Sequence, residues 1–148
     1  MSETHDLRRG LRRIRAVLAG LLAIIILSIG TDMALRAAGI FPQIGQPMVD
    51  ALFLLATAYR TVYGVAGSYI AARLAPDRPM RHALALGVVG LALSIAGAVV
   101  MWGVGPAWYP LALIALAMPC AWAGGRLRGM QLRIADAGDA RYLNDHAR

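Results

Sequence analysis

Four stretches of this chain each run for about 20 predominantly apolar residues, the length a helix needs to cross a hydrocarbon layer of ~30 Å. The cleanest, residues 83–102, holds no charged side chain at all. Inside lipid the backbone has no water to bond, so each stretch must satisfy its own amides and carbonyls as an α-helix. A soluble all-α protein with a greasy core is the competing reading, and core helices do not call for uninterrupted apolar runs of this length. The expected fold is an all-α membrane protein, a four-transmembrane-helix bundle made of two helical hairpins. Its spans are placed at 14–38, 48–74, 83–102 and 111–127, after a basic segment 1–13 and before a polar tail 128–148 that is expected to be frayed or weakly helical.

The connections carry turn chemistry. Residues 39–47 read Gly-Ile-Phe-Pro-Gln-Ile-Gly-Gln-Pro, 75–82 read Ala-Pro-Asp-Arg-Pro-Met-Arg-His, and 103–110 combine Gly103, Gly105, Pro106 and Pro110 with Trp108 and Tyr109. The basic start followed by an apolar run also has the layout of a secretory signal. That run is long and continues through Asp32 and Arg36 without a clean small-x-small site, so an uncleaved anchor is the expectation. Pro119, inside the fourth span, is expected to kink it.

Charge sets the orientation. The net charge is +7, and all fifteen basic residues are Arg. A nucleic-acid binder would gather them on one face, whereas here they flank the apolar spans. Every Arg except Arg36 and Arg60 lies in the N-terminal segment, around the middle connection or in the C-terminal tail. By the positive-inside rule those three segments share the cytoplasmic side, which puts both termini inside. Phe41, Trp102, Trp108 and Tyr109 would mark the outer interface, with Trp122 near the inner one. The expected partners are the lipid bilayer and either a second copy or another membrane protein, with no nucleic acid. An Arg-only, Ala- and Gly-rich composition points to a GC-rich bacterial genome, and the expected location is the bacterial cytoplasmic membrane.

Small residues mark where helices approach, because lipid supplies no hydrophobic drive between them. Ala83, Gly87, Gly90, Ser94 and Gly97 form one stripe on the third span. Gly64, Gly67, Ser68 and Ala71 form a patch on the second, and Ala16, Gly20, Ala23, Gly30 and Ala34 a looser one on the first. These are read as seams within the bundle, with dimer faces as the alternative. Ala-Ala-Arg-Leu at 71–74 and Gly-Gly-Arg-Leu at 124–127 look alike, yet ordinary span endings explain them as well as an internal repeat does.

Ionisable groups within a span are costly and therefore candidates for function. Asp32 lies about 26 Å of helix beyond Arg15, and Arg60 about 20 Å before Arg73, at ~1.5 Å per residue. If both flanking arginines mark the inner interface, the two groups lie within reach of each other, and an interhelical Asp32–Arg60 ion pair follows. Arg36, one turn beyond Asp32, is a competing partner. On the second span Asp50, Thr57, Arg60, Thr61, Gly64 and Ser68 share a broad polar face, flanked by Tyr59 and Tyr63. This face reads either as structural, fixing helix register and satisfying the charges, or as the lining of a substrate or proton pathway.

No feature points to an enzyme. Without Lys there is neither a Walker lysine nor a Schiff base. Cys120 stands alone and reads as a packing residue, and His5, His82 and His146 show no metal-ligand spacing, so no cofactor or metal is expected. The expectation is a structural or accessory membrane component, with a small transporter or channel subunit as the alternative.

Residues 47–64 (Pro-Met-Val-Asp-Ala-Leu-Phe-Leu-Leu-Ala-Thr-Ala-Tyr-Arg-Thr-Val-Tyr-Gly), residues 71–83 (Ala-Ala-Arg-Leu-Ala-Pro-Asp-Arg-Pro-Met-Arg-His-Ala) and Gly-Pro-Ala-Trp-Tyr-Pro at 105–110 resemble a family of small bacterial four-span integral membrane proteins. The resemblance covers residues 10 to 128 and implies the architecture without an activity. Two better-defined four-span groups fit poorly. Small multidrug transporters carry a Glu within the first span, and here no span has one; fluoride channels have phenylalanine-rich motifs, and here only Phe41 and Phe53 occur.

Overall fold

A computed structural model describes the backbone of residues 2–75 and 77–146 and the side chains of 10–75 and 77–138. Of the residues singled out above, His5 and His146 have side chains outside the described set. Four helices make up the described chain: α1 (Ser2–Ala37), α2 (Asp50–Leu74), α3 (Pro79–Val100) and α4 (Trp108–His146). The connections fall where the Gly and Pro residues are. Gly39, Gly45 and Gly103 take positive φ, the left-handed region that a residue without Cβ enters at little cost. Pro79 opens α3 at a position where its missing N–H matters least.

Both outer helices are longer than expected. The basic segment continues α1 toward the N-terminus, and α4 does not fray at Leu127 but runs to His146. Gln131, four residues past that expected end, accepts a 2.7 Å hydrogen bond from the Tyr69 hydroxyl of α2 and ties the extension to the bundle. Helix α4 also passes through Pro119 without a break.

Helices α1, α3 and α4 are long and apolar enough to cross a membrane, and α2 is not. Asp50, Arg60 and Arg73, with several hydroxyls, lower the hydropathy of α2. The packing supplies a reason. Helix α2 packs closely on both α1 and α4 and also on α3, whereas α3 meets α1 only lightly, and α1 and α4 stand apart on opposite sides. Going round the bundle the order is α1, α2, α4, α3, with α1 antiparallel to α2, α3 antiparallel to α4, and α2 parallel to α4.

The faces turned away from the bundle are bare hydrocarbon. On α1, Leu18, Leu22, Ile26, Ile29 and Met33 follow one another at helical steps, and each is about half exposed or more. Water-soluble proteins do not leave surfaces of this kind uncovered. The molecule is membrane-associated.

At the end where the chain begins, here the near end, small residues bring the helices together. A Cβ added at Gly20 would lie 2.5 Å from the Gly67 carbonyl oxygen, and one at Gly124 would lie 2.5 Å from that of Val65. Gly87 meets Ala121, and Gly125 meets Ala83 and Met80 in the same way. An exposed ion pair closes this end, Arg13 to Asp77 at 2.8 Å, joining α1 to the α2–α3 turn. Toward the far end the bundle loosens. Gly30, Gly90 and Gly97 have open space where a Cβ would stand, so the α3 stripe serves as a seam over its first half only.

Candidate functional site

The opening at the far end is a crevice of about 530 Å³ between the helices. Its walls come mainly from Ile24 and Ile25 of α1, Phe53 of α2, and Leu93 and Gly97 of α3. The turn around Gly105 roofs it, packed so closely on the Phe53 ring that a Cβ on Gly105 would meet that ring at 2.6 Å. Phe41, expected at the lipid interface, is instead buried against this crevice. Trp102 and Trp108 remain partly or largely exposed.

The polar groups of the crevice are few and clustered. Arg60 Nη2 donates to Asp32 Oδ2 at 2.7 Å, the ion pair expected between the first two spans. The Tyr59 hydroxyl donates to the other carboxylate oxygen. One turn deeper along α2, Tyr63 and Thr31 share a 2.8 Å hydroxyl–hydroxyl bond. The Arg60 guanidinium also stands 6.0 Å from the ring centre of Tyr109, within cation–π range, and Tyr109 packs on Phe53 at 5.0 Å. Residues from α1, α2 and α4 thus converge on one carboxylate and one guanidinium, with side chains about a fifth and a third exposed respectively.

The other residues of the expected polar face divide. Thr57 and Thr61 donate to backbone carbonyls one turn back, Phe53 O at 2.9 Å and Thr57 O at 2.7 Å, and so are satisfied on their own helix. Thr61 and Ser68, with Ser28 and Ser94, border a smaller cavity of about 210 Å³ that shares Arg60 with the crevice above. Ser68 is itself buried, next to Gly124. Asp50 does not join the site: it is exposed in the first turn of α2, where a carboxylate complements the positive end of the helix dipole. Cys120 is buried beside Gly64 and packs there.

Arg36 is not the partner of Asp32 within salt-bridge distance, because Arg60 and Tyr59 occupy that carboxylate from across the interface. Arg36 instead lines the crevice, with its Nε buried and bonded to no protein acceptor among the described residues. The Nε of Arg60 is in the same condition. The sequence carries the signal in plain form, since Arg36 is the single arginine near a span end that charge asymmetry does not explain. Tyr109 is different. Nothing in its local pattern ties it to a helix 49 residues earlier, and only the parallel packing of α2 and α4 brings it to Arg60.

Among the described residues no three His, Cys, Asp or Glu side chains come close enough to share a metal ion. The chain matches no protein-family model, no curated protein and no solved structure.

Proposed function

We propose that this chain is an accessory component of a bacterial cytoplasmic membrane, crossing it four times with both termini inside and catalysing no reaction. Helix α2 then spans with the other three. Its polar residues are compatible with that because neighbouring helices cover them, and it runs antiparallel beside α1 over the same depth. The near end takes the cytoplasmic side, where the arginines lie.

The observation that carries the accessory reading is the closed near half. Gly20 on Gly67, Gly124 on Ser68 and Gly87 on Ala121 leave no room there for even a methyl group without movement. The crevice is therefore blind, which suits holding a ligand or partner better than conduction. The two cavities that meet at Arg60 favour a second reading, a small transporter in an outward-facing state. Such a protein would have to open the glycine seam on the inner side.

Sidedness of labelling separates the two. In a Cys120→Ala background, Thr61→Cys and Ser68→Cys are treated with a membrane-impermeant thiol reagent from each side of sealed vesicles. The accessory reading expects Thr61→Cys to react from the outer side only and Ser68→Cys from neither. Reaction of Ser68→Cys from the cytoplasmic side discards that reading in favour of transport.

A further inference from the structure

We infer that the outer crevice is a seat for one acidic phospholipid of the outer leaflet, its phosphate between Arg36 and Arg60 and an acyl chain along α1 and α3. Three independent features of the crevice select that occupant.

The first is charge. Two guanidinium groups and one carboxylate border the crevice, and the carboxylate belongs to Arg60. Arg36 is left without an acidic partner among the described residues, since Asp32 is taken by Arg60. An unneutralised cation at the edge of an apolar cavity calls for an anion, and phosphate oxygens match the guanidinium fork.

The second is depth. Along α1 the crevice reaches from Arg36, in the last turn of that helix, down to Leu21. Those fifteen residues correspond to about 22 Å of helix at ~1.5 Å per residue. One leaflet, half of a ~40–45 Å bilayer with its headgroups, has the same thickness. Asp32 and Arg60 sit about 6 Å below Arg36, one helical turn. The charges thus stand at headgroup level, and Ile25, Leu21 and Leu93 line the hydrocarbon level beneath them.

The third is access. The weakest neighbouring pair in the bundle is α1 with α3, and the α3 glycines on that side, Gly90 and Gly97, face open space. Open space at these two glycines lets a chain enter sideways from the bilayer between α1 and α3. A soluble anion would need no such groove.

The leaflet assigned here rests on the orientation proposed above; the lipid seat itself does not. The test uses the full chain in nanodiscs of mixed phosphatidylglycerol and phosphatidylcholine, released for native mass spectrometry so that retained lipid is counted. The expected result is one phosphatidylglycerol retained in preference to phosphatidylcholine. Arg36→Gln should weaken that retention about tenfold, the loss expected for one charge-assisted bond, and Arg36→Lys should restore part of it. Gly90→Leu and Gly97→Leu fill the groove at positions with room for a side chain and should abolish retention while thermal stability holds. Gly30→Leu, at an equally open glycine that does not line the crevice, should retain lipid as the parent does. Equal retention of both lipids, or equal retention by the groove and control variants, overturns the seat and leaves annular lipid only. If the lipid result holds while labelling places Arg36 on the cytoplasmic side, the seat stands in the other leaflet and the orientation is the part that fails.

Discussion

At the scale of single residues, the Asp32 carboxylate uses one oxygen for Arg60 and the other for Tyr59, so its charge is shared across two helices. Losing one partner strands the other in a poorly solvated place. Breaking a fully buried pair costs ~3–5 kcal/mol, and the partial exposure of this one lowers the expected cost to about 1–3 kcal/mol. Asp32→Asn and Arg60→Gln should each reduce membrane accumulation. The exchange Asp32→Arg with Arg60→Asp should recover much of it, as read by quantitative immunoblotting. An exchanged protein as scarce as the single variants would show that the pair does not fix helix register. The pair was legible in the sequence because it needed only the helical rise and two arginine anchors in adjacent helices. Spacing makes Arg36 a competitor for Asp32, but spacing along one helix says which groups are neighbours, not which neighbour a second helix has already supplied. A shared face ignores depth, and Asp50, at the first turn of α2, stands clear of the other polar groups.

Among the elements, the glycines fall into two populations that composition does not distinguish. At Gly124 a new Cβ meets backbone, the Val65 carbonyl oxygen at 2.5 Å and the Tyr69 nitrogen at 2.7 Å, and backbone cannot swing aside. At Gly30 it meets nothing within 4 Å. The same replacement by Ala should therefore act with opposite sign. Gly124→Ala should destabilise by about 1–3 kcal/mol through overpacking. Gly30→Ala should be neutral or stabilise by up to ~1 kcal/mol, since Ala is the better helix former. Thermal unfolding in one detergent, read by circular dichroism, checks both, and a loss at Gly30 equal to that at Gly124 would refute the two-population picture. The four helices and their turns are readable in the sequence because length and Gly/Pro punctuation are local. The ends of α1 and α4 were not, because leaving the apolar band does not stop a helix that still has a partner such as Tyr69 to hold it. The α3 stripe was readable as a face, but where its neighbour departs depends on the tilt of another helix.

For the molecule as a whole, the order of helices around the bundle decides which of them needs to be greasy. Helix α2 packs more extensively on its neighbours than any other helix does, wedged between α1 and α4, so it can carry Arg60 and the hydroxyls that lower its hydropathy. A per-helix hydropathy test counts three candidates for that reason, and the question of a fourth span turns on where the α2–α3 turn lies. The Arg13–Asp77 pair holds that turn beside the basic part of α1, at the opposite end of the bundle from Ile44 and Val104. If α2 crosses, Asp77 and Ile44 must be on opposite sides of the membrane. If it does not, they are on the same side. Single cysteines at Asp77, Ile44 and Val104 in a Cys120→Ala background test this directly, because all three positions are exposed and the ion pair lost at Asp77 is worth only ~0–1 kcal/mol. Four spans with both ends inside require Ile44→Cys and Val104→Cys to react with an impermeant reagent in intact cells, and Asp77→Cys only after the membrane is opened. Labelling of Asp77→Cys in intact cells, together with Ile44→Cys, would take α2 out of the bilayer and leave its polar face to be explained at the membrane surface.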